Sequence, residues 1–363
     1  MFRLSLMAVV LAMSFATAAD WSIFRGDPLM NGVGMAKLPD QLEERWVFKT
    51  KDTIEGAPAI VDGVVYVASM DKHLYAVDLA KGTERWKTQL GPMKASPAVR
   101  AGRIYVGDVE GKFYCLEAAT GKLIWTFETG GEIIAGANFY KDRILIGSHD
   151  STLYCLEADG KKAWELKIDG PVNGAAAVVG DRTFVAGCDA VLHVVDTNTG
   201  KSLGTVDLGG EAAATAAVVD DRIYVGTMAN QVVAIDWKKL KKAWTFEASK
   251  RQQPFYGSAA VTEQLVIAGS RDKKVYAIDR ATGKERWNFV TEGSVDASPV
   301  VVGNRIYVGC ISDSGEFYVL DAATGKQIQK LDLYSGVSGS VAVGPDCLLV
   351  GTEKGMLYCL GKK

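Results

Sequence analysis

The sequence is poor in the residues and motifs that mark the common enzyme classes. Its 363 residues include only three histidines, His73, His149 and His193, which lie far apart. It contains no Gly-x-Ser-x-Gly, Walker loop, His-Glu-x-x-His or Cys-x-x-Cys-His. Each of these motifs carries a specific chemistry, from nucleophilic catalysis to metal or haem binding. The sequence therefore predicts no catalytic residues and no metal site.

The sequence also lacks a clear excess of either charge, because 41 Lys and Arg nearly balance 43 Asp and Glu and give a net charge of −2. A general nucleic-acid surface requires a basic excess. We therefore predict no nucleic-acid partner.

A single long apolar run, Leu4 to Phe15, follows Arg3 at the N-terminus. It is too short for a stable membrane span, and the small residues Ala16 to Ala19 after it suit a cleavage site. Residues 1–19 are predicted to be a signal peptide, with no transmembrane segment after its removal. The protein would then be exported and soluble, in the periplasm or outside the cell. A short N-terminal membrane anchor is the alternative.

What the sequence does have is a repeat. Its clearest copy, Ala277 to Trp287, reads Ala-Ile-Asp-Arg-Ala-Thr-Gly-Lys-Glu-Arg-Trp. Successive positions equivalent to the tryptophan lie about 40 residues apart, the period of a four-stranded propeller blade. They are Trp46, Trp86, Trp125, Trp164, Gly204, Trp244, Trp287 and Gln329. Two copies thus lack the tryptophan, and the copy that ends at Trp244 lacks the turn glycine.

Each repeat reads as four short strands, A to D, separated by glycine-bearing turns. In the second repeat, strands A, B, C and D are predicted at 95–99, 104–107, 112–116 and 123–127. Strand B occurs eight times, but strand D only seven times within the repeats, because the chain stops soon after the last strand C. The segment Glu44 to Phe48 reads as the missing strand D.

These strands predict an all-β fold, an eight-bladed β-propeller of four-stranded antiparallel blades over residues 43–363. The N-terminal strand closes the ring by pairing with the last blade, which protects edges that would otherwise be open. Seven blades plus an irregular segment is the alternative. Residues 20–42 form a leader, and Trp21, Ile23 and Phe24 predict that it packs on the ring. A disordered leader is its alternative.

The six cysteines would permit disulfides in an exported chain. Cys115, Cys155 and Cys359, however, share one repeated position that holds Ala or Val in the other copies. Such a position is small, apolar and buried. We expect mostly free buried thiols, and a disulfide among the six remains the alternative.

The repeated Ala-x-Asp-x-x-Thr-Gly-Lys-x-x-Trp resembles the tryptophan-docking motif of pyrrolo-quinoline quinone (PQQ) propellers. The resemblance covers Glu43 to Leu360 and implies eight blades, with each tryptophan stacked between neighbouring blades. That structural docking role is expected of Trp46, Trp86, Trp125, Trp164, Trp244 and Trp287.

The quinoprotein alcohol dehydrogenases of this group carry a vicinal disulfide and a calcium ion held by a Glu-Asn-Asp set. Neither feature is found in this sequence. The chain also resembles the BamB-like propellers of outer-membrane protein assembly, although it lacks their lipid-anchor cysteine. The resemblance implies a non-catalytic exported scaffold that binds a protein partner in the cell envelope, with no cofactor. A PQQ-dependent quinoprotein dehydrogenase-like enzyme is the alternative, with PQQ as its cofactor.

Propellers bind ligands on the axis or on the face formed by their D–A and B–C loops. The residue just before strand A is polar in six of the eight repeats: Glu55, Lys94, Asn173, Tyr256, Asp296 and Ser338. The longest D–A loop, 247–256, adds Lys250, Arg251 and Phe255, whose types suit protein interfaces. These nine residues form the predicted ligand or partner face, and solvated loop ends are the alternative. The three histidines are interpreted as ordinary blade-surface or interblade residues.

The predicted alignment of the repeats can be tested by replacing one of the docking tryptophans. Truncation of a docking tryptophan removes a large buried side chain, so Trp287→Ala should lower the free energy of unfolding by about 3–5 kcal/mol. Denaturant titration measures this loss. A loss below about 1 kcal/mol would mean that the indole is exposed and that the register is wrong.

Overall fold

The computed structural model describes residues 20–248 and 253–363, in which every regular element is a β-strand. Two strands precede the repeats, β1 (Val33–Gly34) and β2 (Glu43–Lys49). The predicted signal peptide, Lys250 and Arg251 lie outside the described residues. No helix long and apolar enough to cross a membrane occurs in these two ranges.

Blades 1 to 4 each consist of four consecutive antiparallel strands. Blade 1 contains β3 (Ala59–Val61), β4 (Val64–Ala68), β5 (His73–Asp78) and β6 (Glu84–Gln89). Blade 2 contains β7 (Ala98–Arg100), β8 (Arg103–Gly107), β9 (Lys112–Glu117) and β10 (Leu123–Glu128). Blade 3 contains β11 (Asn138–Tyr140), β12 (Arg143–Ser148), β13 (Thr152–Leu156) and β14 (Lys162–Lys167). Blade 4 contains β15 (Ala177–Val179), β16 (Arg182–Ala186), β17 (Val191–Asp196) and β18 (Ser202–Asp207).

Blades 5 to 7 repeat this arrangement, with the leader strand β1 added parallel to β27 in blade 7, and blade 8 completes the ring. Blade 5 contains β19 (Ala217–Val219), β20 (Arg222–Gly226), β21 (Gln231–Asp236) and β22 (Lys241–Glu247). Blade 6 contains β23 (Ala260–Val261), β24 (Leu265–Ser270), β25 (Lys274–Asp279) and β26 (Glu285–Val290). Blade 7 contains β27 (Val300–Val302), β28 (Arg305–Gly309), β29 (Glu316–Asp321) and β30 (Gln327–Asp332). Blade 8 contains β31 (Ala342–Val343), β32 (Cys347–Gly351) and β33 (Met356–Gly361), with β2 as its strand D.

The predicted closure is confirmed in blade 8. Strand β2 pairs antiparallel with β33, with Trp46 opposite Cys359. The Arg45 guanidinium fastens the junction, because it donates to both carboxylate oxygens of Asp346 at 2.9 and 2.8 Å and to the Lys362 carbonyl at 2.8 Å. The prediction of eight four-stranded blades is therefore confirmed, and the seven-bladed alternative is wrong.

Strand A is shorter than the sequence predicted. In blade 2 it begins at Ala98 rather than at Ala95. The residues before it bond around the ring instead of along the blade. Ser96 Oγ, for example, accepts a hydrogen bond from the Ala57 amide of blade 1 at 2.9 Å.

Six blade interfaces share one packing arrangement of tryptophan on glycine. The indole of each blade lies against the turn glycine of the next blade, and its Nε1 donates to a backbone carbonyl there at 2.8–3.2 Å. A Cβ atom at any of these glycines would lie only 2.5–2.7 Å from the indole. The pairs are Trp46–Gly82, Trp86–Gly121, Trp125–Gly160, Trp164–Gly200, Trp244–Gly283 and Trp287–Gly325.

The two interfaces without tryptophan also lack a glycine on the facing blade. Gly204 of blade 4 faces Leu240, which stands in the C–D turn of blade 5. Gln329 of blade 7 meets the segment that leads into β2, since blade 8 has no continuous C–D turn. Its amide exchanges two hydrogen bonds with the backbone of Leu42, at 2.8 and 2.9 Å. Each missing indole is thus matched by the absence of its glycine.

The leader packs against the inner strands of the ring. Trp21 bridges to Ile60 of blade 1, and further leader carbonyls accept bonds from inner-strand amides of blades 2, 4, 5, 6 and 7. The accepting residues are Ser22, Pro28, Leu29, Asn31 and Gly32. Arg25 is fully buried among these contacts, and burial lowers the pKa of its guanidinium to about 9. The leader therefore runs around the ring along its inner strands.

All six cysteines have free thiols, as expected. Five of them are buried, and Cys188 is partly exposed. Burial raises the pKa of Cys115 to about 11 and that of Cys155 to about 12. These thiols behave as small apolar side chains, because the reactive thiolate form is disfavoured.

Two glycines with the same backbone conformation separate the effect of indole packing from that of backbone strain. Gly283 (φ +72°) faces Trp244, whereas a Cβ added at Gly63 (φ +71°) would have nothing within 4 Å. Gly63→Ala should cost only the left-handed strain, about 1–2 kcal/mol. Gly283→Ala should cost about 1–3 kcal/mol more, because its Cβ displaces the indole. Equal losses in denaturant titration would contradict the packing account.

Candidate partner-binding site at the mouth of the channel

A well of about 380 Å³ opens on the face of the D–A and B–C loops. Its wall consists largely of residues that shortly precede the inner strands, whereas the leader bonds to residues within those strands. Phe24 of the leader also lines the well, where its Cβ lies close to Gly136. The described part of the leader thus contributes to the wall of the site as well as to the ring's packing.

The structure brings six of the predicted site residues together around this well. They are Glu55, Lys94, Asn173, Tyr256, Asp296 and Ser338. The prediction for Phe255 as a contact residue is wrong, because its ring is fully buried, packs on Tyr276 and lies against Gly226. Nothing in the described residues places Lys250 or Arg251.

Three acidic side chains that line the well, Glu55, Glu132 and Asp296, each lie near a basic side chain. Lys94 Nζ lies 3.4 Å from Glu55 Oε1, and His149 Nδ1 lies 3.9 Å from Glu132 Oε2, a pair that is ionic only when the imidazole is protonated. Arg271 makes the tightest pair, donating from Nη2 and Nε to the Asp296 carboxylate at 2.7 and 2.9 Å.

The Arg271 pair also holds an aromatic ring. The guanidinium lies over the ring of Tyr256, 3.8 Å from its centroid. Its hydrogen bonds to Asp296 raise the pKa of Arg271, so this side chain stays charged. Arg271, Tyr256 and Asp296 form a fixed Arg–Tyr–Asp unit on the rim of the well.

Sequence reasoning missed Arg271, Glu132 and His149. Arg271 and His149 both stand immediately after a Gly-Ser pair that ends strand B, so alignment of the B–C loops could have placed them together. His149, interpreted from the sequence as a blade-surface or interblade residue, lines the well and lies near Glu132 of the preceding D–A loop. His193 instead bonds Asp189 within its own blade at 2.6 Å.

Deeper in the well, hydroxyl groups link successive inner strands. Thr215 accepts from the Ala175 amide, Ser258 from the Thr215 amide and Ser298 from the Ser258 amide, each at 2.9–3.0 Å. All three hydroxyl residues line the well. The chain of bonds ties blades 4 to 7 and holds their loop ends in register.

The site presents charged, hydroxyl and aromatic side chains. Its acidic side chains lie near basic ones, and the hydroxyls of Thr215, Ser258 and Ser298 accept bonds from backbone amides. Among the described residues, no three His, Cys, Asp or Glu side chains stand where they could hold a metal ion. Rigid aromatic and guanidinium groups of this kind are typical anchors of protein interfaces.

Comparison with known proteins places the fold in a family. The family model described as "Beta-alanine-activating enzyme, beta-propeller" matches residues 92–361. The chain belongs to this β-propeller family. A second model, described as "Outer membrane protein assembly factor BamB", matches residues 39–96. The chain is thus a PQQ-like propeller that resembles BamB. No curated protein sequence matches it.

Solved structures of this propeller type superpose over nearly the whole chain. BamB from Moraxella catarrhalis is 20% identical with a TM-score of 0.76, over 89% of this chain and 98% of that chain. Quinohemoprotein alcohol dehydrogenase from Comamonas testosteroni is 14% identical with a TM-score of 0.81, over 95% and 81%. A europium-containing methanol dehydrogenase is 14% identical with a TM-score of 0.77, over 96% and 99%. Identities this low establish the fold alone.

The hydroxyl chain can be tested with two serines at equivalent ring positions. Ser258→Ala leaves the buried Thr215 amide without its acceptor and should cost about 1–3 kcal/mol. Ser340 is similarly buried, but its hydroxyl accepts no amide from the described residues, so Ser340→Ala should cost clearly less. Thermal or denaturant unfolding of both variants measures the difference. An equal cost would mean that these bonds do not hold the blades.

Proposed function

We propose that the protein is a non-catalytic, exported interaction propeller that binds a protein partner of the cell envelope through the face around the well. The observation that carries this proposal is the Arg–Tyr–Asp unit on the rim, where Arg271 stacks on Tyr256 and forms a salt bridge with Asp296. Such a unit is already ordered before a partner arrives, so little side-chain entropy is lost on binding.

A second aromatic side chain on the same face supports a protein partner. Tyr334, in the D–A loop between blades 7 and 8, is 73% exposed. Its backbone has a positive φ of 57°, uncommon for a bulky residue, and Lys354 Nζ bonds its carbonyl at 3.0 Å. The exposed ring of Tyr334, on a backbone fixed by this hydrogen bond, is a suitable contact for a partner surface.

The setting in the envelope is part of the same proposal. The sequence of residues 1–19 has the charge, apolar core and small residues of a signal peptide. Similarity to BamB, named an outer-membrane protein assembly factor, favours a role in outer-membrane protein assembly. Export would place the partner-binding face in the compartment where such assembly occurs.

A PQQ-dependent quinoprotein dehydrogenase-like enzyme is the second candidate, favoured by fold similarity to two alcohol-oxidising enzymes. The residues of the well fit that cofactor poorly. The two cations that could hold its carboxylates, Lys94 and Arg271, are paired with Glu55 and Asp296. We therefore infer that the protein works without PQQ.

The interface proposal is tested by affinity capture from a bacterial envelope extract. We expect the wild-type protein to retain a component that takes part in outer-membrane protein assembly. The double variant Tyr256→Ala and Arg271→Ala should lose it, because both rim anchors are gone. Arg286→Ala is the matched control, since Arg286 also pairs with an aspartate, Asp279, but lies outside the well. Retention by the double variant, or loss with the control, would contradict the proposal.

The alternative of a PQQ-dependent enzyme is tested separately, by cofactor binding and turnover. Purified protein mixed with PQQ and calcium should show no stoichiometric absorbance change and no dye-linked oxidation of alcohols or sugars. Stoichiometric binding with turnover would overturn the non-catalytic proposal, whatever the capture experiment gives.

A further inference from the structure

The interface between blades 5 and 6 contains a buried tyrosine hydroxyl that lacks the partner of its counterpart in blade 1. In blade 1, the Tyr66 hydroxyl donates to the carbonyl of Ala118, which also accepts from the docking indole. The matching carbonyl beside Tyr224 is that of Arg280, and it accepts from the docking indole and from Arg222 Nη1 at 3.1 Å. Tyr224 is 0% exposed, and its hydroxyl has no hydrogen-bond partner among the described residues.

A cavity of about 440 Å³ lies beside this tyrosine, between the A–B turns of blades 5 and 6 and the C–D turn of blade 6. Its lining contains a second buried atom without a partner among the described residues, Arg280 Nη1. The Nη2 of the same guanidinium donates to Asp220 at 2.9 Å. Burial raises the pKa of Tyr224, so its hydroxyl keeps its proton. Two buried donors thus line one cavity with the volume of a small-molecule site.

The charged groups around the cavity have both signs. Four carboxylates and three guanidinium groups line it, those of Asp220, Asp221, Glu263, Asp279, Arg222, Arg280 and Arg286. An anionic ligand would be repelled by the carboxylates and a cationic ligand by the guanidinium groups. A neutral ligand avoids both costs, and hydroxyl groups suit it best because each of them both donates and accepts.

We propose that this cavity binds a small neutral sugar. One sugar oxygen accepts from the Tyr224 hydroxyl and from Arg280 Nη1, the two donors that the described residues leave without partners. Other sugar hydroxyls donate to the carboxylate of Glu263, which is exposed in the A–B turn of blade 6. A sugar ring carries hydroxyls around its whole perimeter, which matches polar groups that come from three different turns.

The sugar site and the partner face are separate, because the cavity and the well share no lining residue. The cavity is formed by A–B and C–D turns, whereas the well opens on the D–A and B–C loops. The propeller therefore has one face for a protein and another for a small ligand.

The test titrates neutral sugars and their charged counterparts into the full-length protein. Glucose is compared with anionic glucuronate, and N-acetylglucosamine is compared with cationic glucosamine. Saturation-transfer difference NMR and isothermal titration calorimetry measure binding. We expect saturable binding of a neutral sugar and at least about tenfold weaker binding of its charged counterpart, because an added charge meets groups of its own sign.

Two tyrosines at equivalent positions identify the site. Tyr224→Phe removes the unpartnered hydroxyl and should weaken sugar binding by about three- to tenfold. Its melting temperature should not fall, because that hydroxyl has no partner among the described residues. Tyr66→Phe is the matched control, since the Tyr66 hydroxyl already donates to Ala118 at 3.3 Å. Its melting temperature should fall, whereas its affinity for the sugar should stay the same.

Saturable binding of a neutral sugar that Tyr224→Phe weakens and Tyr66→Phe preserves supports the proposal. Absence of saturable binding by both neutral sugars, equal binding of the charged counterparts, unchanged affinity in Tyr224→Phe, or equal loss in both variants overturns it. Because neither variant touches the well, the outcome is separate from that of the capture experiment.

Discussion

The structure depends on the contact between one indole and one glycine at each regular blade interface. The indole covers the turn of the next blade, and its Nε1 donates to a carbonyl of that turn. A large flat side chain buries much apolar area here, and only a residue without a Cβ leaves room for it. The glycine also supplies the positive φ of the turn, so a single residue meets a conformational and a packing requirement.

The D–A loops combine a repeated packing position with positions that vary. A buried apolar side chain of the loop packs on a glycine at the end of strand B, as Ile133 does on Gly107 and Phe255 on Gly226, whereas the residues beside it differ from blade to blade. The rim of the well shows the result, with charges, hydroxyls and aromatic rings at equivalent positions of different blades. The two irregular interfaces are filled in different ways, because Gln329 bonds to Leu42 whereas Leu240 packs on Gly204.

Much of the fold could be predicted from the sequence, because each blade repeats the same local rules. The period of the tryptophan positions predicted eight blades, and the unmatched strand D at Glu44 to Phe48 predicted the closure. The site was only partly predictable. Alignment of the residues before strand A found Glu55, Lys94 and Asp296, since they share a place in the repeat.

The features that the sequence did not predict depend on the direction of side chains and on neighbours from other repeats. Phe255 reads as a loop aromatic, but its ring turns into the interblade core. Arg271 lies far from Asp296 along the chain, so their pairing follows only from the ring geometry. The matched loss of indole and glycine at the blade 4 and 5 interface likewise becomes meaningful only when the facing blade is known.

A double-mutant cycle on Trp125 and Gly160 tests the central claim most directly. A Cβ at Gly160 would lie 2.7 Å from the Trp125 indole. If the two residues act as a unit, Gly160→Ala should cost clearly less once Trp125→Ala has removed the indole. The unfolding free energies should then show a coupling of at least about 1 kcal/mol. Additivity of the two single losses within about 0.5 kcal/mol would contradict the account.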